Sequence, residues 1–343
     1  IALTADPSEA QIHIEAVPAA QINQVFPTAA CFIVPGETNW RDFRRRRNTD
    51  RLRWADQRVL EGAAIFLPVD TTPQDVRDCL NEEITQALGP ANDLYRLPDT
   101  VWNDDNFHGL ATAFDMLILR TLYQPEFKSG MSQDQARQSL PGVLARTNPA
   151  GRGRVQQPRQ PESKAWAGAI EAAMSPELSR NDRLGAANIA TQIAVEMRPI
   201  DHRYGVSLLT LGRLNMRQNP AEAAKNFSEA YRVFTRLLGP DDVRTAQAGV
   251  HLAALALVTG DTDTAITLAD RHLPAAQTAQ NAILMAGFLS IKAEALREQG
   301  RLPEAQRTRL DSLRWARYGF GDDGGALARE QARIATVLQL EES

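Results

Sequence analysis

Residues 79–93 read Cys79-Leu80-Asn81-Glu82-Glu83-Ile84-Thr85-Gln86-Ala87-Leu88-Gly89-Pro90-Ala91-Asn92-Asp93. The stretch opens inside a helix and closes in a turn. Upstream, Thr72-Pro73-Gln74-Asp75 combines a Thr N-cap, Pro at the first helical position and an acid three residues after the cap. The spacing therefore predicts a helix from residue 73 to about 88, with Gly89 supplying a left-handed cap. On that helix Glu82 and Gln86 are i and i+4 and share a face. Gly89 turns the chain three residues after Gln86, so Asn92 is expected to come back toward that face.

Working outward, residues 11–17 alternate Ile12, Ile14 and Ala16 against polar neighbours, the pattern of a half-buried strand. Residues 30–34 form a short apolar run that ends at Pro35-Gly36, and residues 63–69 (AAIFLPV) form another. Pro68 predicts that the latter lies at a sheet edge. A second helix is expected from Thr112, with Asp115 three residues on, through Phe114, Met116, Leu117, Leu119 and Leu122, and is ended by Pro125. Strands with separated helices predict an α+β domain over residues 1–147. Residues 148–162 hold a Pro-, Gly- and polar-rich stretch with no apolar period, which reads as a linker.

Residues 163–343 read as all helix. Asn219, Gly260 and Gly300, spaced by 41 and 40 residues, each close one helix and precede another. Gly212, Ala253 and Ala293 lie seven residues before them, and Ala224, Ala265 and Ala305 five residues after. Small residues at matching places let paired helices approach closely, and this period reads as an α-solenoid. Residues 236–242 (RLLGPDD) supply a turn between repeats. The region resembles the tetratricopeptide family, in its longer kinesin-light-chain-like variety, over about residues 165–340, although most of the family's aromatic positions are missing. A further repeat over residues 166–197 and a terminal capping helix over residues 325–340 complete this expectation.

The layout of residues 82–92 resembles the zinc peptidase motif H-E-x-x-H-x-x-G-x-x-H, with Glu82, Gln86 and Asn92 at the three histidine positions and Glu83 at that of the general base. In the same comparison residues 63–69 stand where a zincin edge strand would. Trp102 takes the place of the Met-turn methionine, and residues 110–123 that of the last metzincin helix. More specifically, the chain resembles a bacterial family of uncharacterised domains. The resemblance runs through E-E-x-x-Q-x-L-G-P-x-N-D, Asn103-Asp104-Asp105, Phe114-Asp115, and Leu122-Tyr123 followed by Gly130-Met131, and covers about residues 10–147. It implies a zincin-like domain whose first half is absent from this sequence. The start at Ile1, with no Met and no signal peptide, reads as a mature form or a fragment.

Zinc favours imidazole, thiolate or carboxylate, and an amide oxygen is a poor ligand. With Glu82, Gln86 and Asn92 in the three seats, the expectation is a retained scaffold without catalysis and without a cofactor. Asp93 would add a carboxylate if it turned inward, and His108 is the one histidine near enough to be recruited. Two alternatives stay open. One is a metallohydrolase in which Glu83 activates a metal-bound water. The other is a hard-cation site of Glu82, Asp93, Asp104 and Asp105, since oxygen ligands suit calcium or magnesium.

Cys31 and Cys79 are too few for a thiolate zinc site and are not spaced as a redox C-x-x-C. They read either as buried reduced thiols or as one disulfide pinning the motif helix to the sheet. Members of the resembled family look like exported proteins, which favours the disulfide and a periplasmic or otherwise exported location. A cytoplasmic location goes with the thiols.

Hydrophobic residues make up 43% and charged residues 23% of the 343, with a formal charge of -4: globular composition, with no general drive toward nucleic acid. No apolar run reaches the length of a membrane span. The strongest local cluster is Arg41, Arg44, Arg45, Arg46, Arg47, Arg51 and Arg53, interleaved with Trp40, Phe43 and Trp54. It would bind an anionic surface or nucleic acid, or else form a solvated helix face or docking patch. The resulting expectation is an interaction scaffold in which the solenoid groove receives a protein or peptide through Arg213, Arg217, His251 and Arg297. The strand at residues 63–69 would hold a peptide by strand addition.

Overall fold

The computed structural model describes residues 2–27, 29–49, 52, 54, 57, 59, 61–103, 107–154 and 161–321. Arg51, Arg53, Asp104, Asp105, residues 155–160 of the expected linker and the expected helix at residues 325–340 lie outside the described residues. The chain divides into two compact units, one of Ile1–Thr71 with Val76–Arg159 and one of Thr72–Asp75 with Gln160–Ser343. The first is α+β and the second helical. Among the described residues, no helix is long and apolar enough to cross a membrane.

In chain order the first unit contains β1 (Ile12–Val17), α1 (Ala19–Asn23), β2 (Phe32–Pro35), α2 (Trp40–Arg46), β3 (Ala63–Pro68), α3 (Pro73–Ala87) from Val76 onward, α4 (Ala113–Leu122) and α5 (Gln133–Thr147). The sheet order is β1-β3-β2, with β1 parallel and β2 antiparallel to β3. This corrects the expectation for residues 63–69: β3 is the central strand, not an edge. Its uninterrupted apolar run is buried at every position, as a strand covered on both faces requires. Pro68 is tolerated because it is the last residue of the strand, and pairing continues beyond it through the Val69 N–H to the Val17 carbonyl. Among the described residues the edges are β1 and β2.

Trp40 and Phe43 of α2 pack with Phe32 and Phe66 at ring separations of 5.0–6.2 Å, in one cluster with Val17, Ile22, Val34 and Ala64. The Trp40 indole donates to Gln21 Oε1 at 2.9 Å, and its backbone N–H to Glu15 Oε2 at 2.7 Å. Trp40 and Phe43 are thus core residues, not a stacking platform, while Trp54 is half-buried. Of the arginines, Arg46 is paired with the buried Glu37 and Arg45 with Asp42. Arg41, Arg44 and Arg47 are exposed.

The helix signals around the motif hold. The Thr72 hydroxyl accepts from the Asp75 N–H at 3.1 Å, and Thr112 and Asp115 cap α4 reciprocally. Gly89 has φ +132°, a backbone conformation that favours glycine. A disulfide joins Cys31, just before β2, to Cys79 on α3 with a Cα–Cα distance of 6.0 Å.

The second unit is built from α6 (Lys164–Met174), α7 (Arg180–Glu196), α8 (His202–Asn215), α9 (Pro220–Leu238), α10 (Val243–Val258), α11 (Thr262–Thr278), α12 (Ala282–Glu298) and α13 (Leu302–Phe320), packed as successive hairpins α6/α7, α8/α9, α10/α11 and α12/α13. Gly205 and Gly212, seven apart on α8, face Phe234 and Phe227, seven apart on α9. An added Cβ would lie 2.4 and 2.5 Å from those rings. The first repeat is displaced by one residue from the expected alignment. Asn219 is the N-cap of α9, whereas Gly260 and Gly300 are positive-φ residues just before the next caps. Accordingly Ala223, not Ala224, is the fully buried counterpart of Ala265. Asp201 caps α8 and pairs with the fully buried Arg203, and Asp242 caps α10 and pairs with the equally buried Arg244, a recurrence at 41 residues.

Candidate functional site

The first unit carries a cleft of about 340 Å³, walled on one side by residues 29–33 leading into β2 and on the other by Glu82, Glu83, Gln86, Ala91 and Asp93. Glu82, Glu83 and Gln86 reach it because helical spacing places i, i+1 and i+4 on adjoining faces of α3. Asp93 reaches it because Gly89 turns the chain. Gln86 Nε2 donates to Asp93 Oδ1 at 2.9 Å, which holds the turn against the helix. Asn92 is exposed and does not line the cleft, so the third expected seat is taken by its neighbour Asp93.

Glu83 is 4% exposed, and its Oε2 has no hydrogen-bond partner among the described residues. Burial, reinforced by the negative charge of Asp93, pushes its carboxyl up to about 8. At neutral pH it is mainly a carboxylic acid, able to donate a hydrogen bond. That is the opposite of what an ionised general base needs.

A buried frame supports the site. The Trp102 indole donates to Thr85 Oγ1 at 2.9 Å, one residue before Gln86, and the Leu94 N–H bonds to the Trp102 carbonyl at 2.8 Å. The fully buried Asp115 accepts from the Val101 N–H at 3.2 Å, the Thr112 N–H at 2.7 Å and the Thr100 hydroxyl. The Trp102 indole is thereby tied to the motif helix. Thr85 and Asp115 as supports, and residues 29–33 as the opposite wall, were not identified as site residues from the sequence. The only local signal for that wall was Cys31.

The three seats of the zinc motif are not filled by three good ligands: Gln86 offers an amide and Asn92 does not line the cleft. The cleft offers carboxyls and an amide, no imidazole lines it, and His108 stands elsewhere. Among the described residues, no three His, Cys, Asp or Glu side chains are grouped so as to hold a metal ion.

On the second unit, Arg213 Nε donates to His251 Nε2 at 3.3 Å and its Nη2 to Gln247 Oε1 at 3.2 Å. His251 is buried and stacks on Phe227 at 4.3 Å. Arg217 is exposed on the turn after α8, and Arg297 is paired with Glu294 on α12. The structure thus joins Arg213 with His251 across α8 and α10. Arg297 instead lines a separate groove between α12 and α13, with Leu302, Ala305 and Leu310.

Residues 1–142 match the model of a family described as a protein of unknown function (DUF2927). No curated protein and no solved structure matches the chain. The disulfide is the kind of bond that persists in oxidising, exported settings.

Proposed function

We propose that this is an exported, non-catalytic interaction protein: a zincin-like domain without its zinc ligands, joined to a tetratricopeptide-like solenoid. Its cleft receives an extended peptide along β2. The observation that carries this reading is the position of β2. Among the described residues its outer edge has no paired strand, and the segment leading into it walls the cleft opposite α3.

The register favours this edge. The Gly36 N–H bonds to the Gly62 carbonyl at 2.7 Å, so by the alternation of an antiparallel pair Val34 and Phe32 bond toward β3. The N–H and carbonyl of Ile33 then point outward, available to an added strand. Strand addition thus belongs to β2 and not to residues 63–69. Cleavage has no support in a protonated Glu83 and a cleft lined by no imidazole. The solenoid contributes a second binding surface on its first helices, where Arg213, Gln247 and His251 form one polar patch.

The test is selection from a library of extended hexapeptides with the full chain, followed by mass spectrometry of the bound peptides. Intact peptides are expected, with affinity lost when the backbone N–H opposite Ile33 is methylated. Cleaved products, or affinity indifferent to backbone methylation, would overturn the reading.

A further inference from the structure

We propose that the cleft selects a basic residue, binding the ammonium or guanidinium group of a Lys or Arg carried by the extended peptide. This rests on the peptide reading above and adds the chemistry of the side chain that enters. Three carboxyl groups, those of Glu82, Glu83 and Asp93, line the cleft, and no Arg, Lys or His among the described residues lines it with them. Acidic groups alone would be an ordinary solvated surface. The second observation is Glu83 itself: its side chain is 4% exposed, lines the cleft, and carries a buried Oε2 that no group among the described residues satisfies. A buried acceptor without a donor is a costly arrangement. A cationic donor entering the cleft removes that cost and gains a charge-assisted hydrogen bond.

The rest of the lining fits the same occupant. Ala29, Ala30, Phe32 and Ala91 give apolar wall for the methylene stem of a long basic side chain, and the carboxyls in the same lining are the partners for its charged head. Gln86 holds Asp93 against α3, so one of the acids is positioned before any ligand arrives. A bare divalent ion is a poorer match, since no three metal-ligating side chains are grouped among the described residues.

The experiment uses the full oxidised chain and four capped peptides, Ac-Thr-Val-Thr-Xaa-Thr-Val-NH2 with Xaa as Lys, Arg, Gln or Glu, measured by isothermal titration calorimetry. The Lys and Arg peptides are expected to bind about tenfold tighter than the Gln peptide, the scale of one charge-assisted hydrogen bond, with the Glu peptide weakest. Glu83→Met, which removes the buried acceptor, should bring the Lys peptide down to the level of the Gln peptide, whereas Glu83→Gln, which keeps an oxygen acceptor there, should retain most of the preference. Glu82→Gln, which leaves the buried carboxyl intact, should retain most of the discrimination. If all four peptides bind alike, the selection of a basic residue is wrong while the peptide cleft stands. If none binds, both fall.

Discussion

Replacing Glu83 by Gln should stabilise the first unit, and by an amount that grows with pH. The carboxyl is pushed from its ordinary 4.5 to about 8 inside the fold. Between those values the folded chain holds a proton that the unfolded chain has released, so stability falls as pH rises through this window and is fully present only below it. Each unit of pH costs up to about 1.4 kcal/mol, so the loss reaches roughly 3 kcal/mol at pH 7 and roughly 5 kcal/mol above pH 8. Glutamine keeps the shape and the hydrogen-bonding capacity of the protonated acid but has no proton to lose. Urea unfolding of wild type and Glu83→Gln at pH 5 and at pH 8.5, fitted for two units, gives the comparison. The two proteins should differ little at pH 5, and the variant should gain several kcal/mol over wild type at pH 8.5. A difference that stays constant between the two pH values would mean that Glu83 is already ionised in the fold, and would refute a protonated acid in the cleft.

The second unit should respond to acid in the other direction. Burial holds His272 at about 4, against an ordinary 6.5, so its share of stability is present above 6.5 and is lost as pH falls toward 4, by roughly 3 kcal/mol; its ring resonances in NMR should not titrate between pH 8 and pH 5. Gly212→Ala drives a Cβ into the Phe227 ring and should cost about 1–3 kcal/mol in the unfolding of the same unit, read by calorimetry. Converting both Cys31 and Cys79 to Ser removes a bridge across 48 residues and should cost the first unit about 4 kcal/mol, measured by denaturant titration without reductant. An unchanged midpoint in that titration would show that the bridge constrains nothing the packing does not already fix.

What could be read from the sequence was what is decided locally. Thr72 and Gly89 mark the ends of the motif helix, Thr112 with Asp115 caps α4, and the small residues near positions 253, 265 and 293 announce paired helices, because each effect acts within a few residues. Position in the sheet is not local. Pro68 signals an edge wherever its missing N–H would break a ladder, but the end of β3 demands no such bond, and only the pairing with β1 and β2 makes it central. The α5 helix was missed because Pro141-Gly142 interrupts its pattern midway, although Ser132 and Gln135 cap it well. The exchange of Asn92 for Asp93 depends on how tightly the turn after Gly89 closes, which spacing alone leaves open by a residue. The one-residue displacement of Asn219 has the same origin: a cap and a positive-φ glycine both end a helix in the sequence, yet they stand at different positions. The function of Trp40 and Phe43 was hidden by their neighbours, since arginines on one face of a short helix say nothing about what its other face buries.

The covalent link between Cys31 and Cys79 joins the two banks of the cleft, one sulfur on the strand side and the other a turn ahead of the acids on the helix. The width of the opening is therefore established when the chain is oxidised, long before any guest arrives. An entering segment need not pry the banks apart or draw them together, so little of its contact energy is spent on rearranging the host.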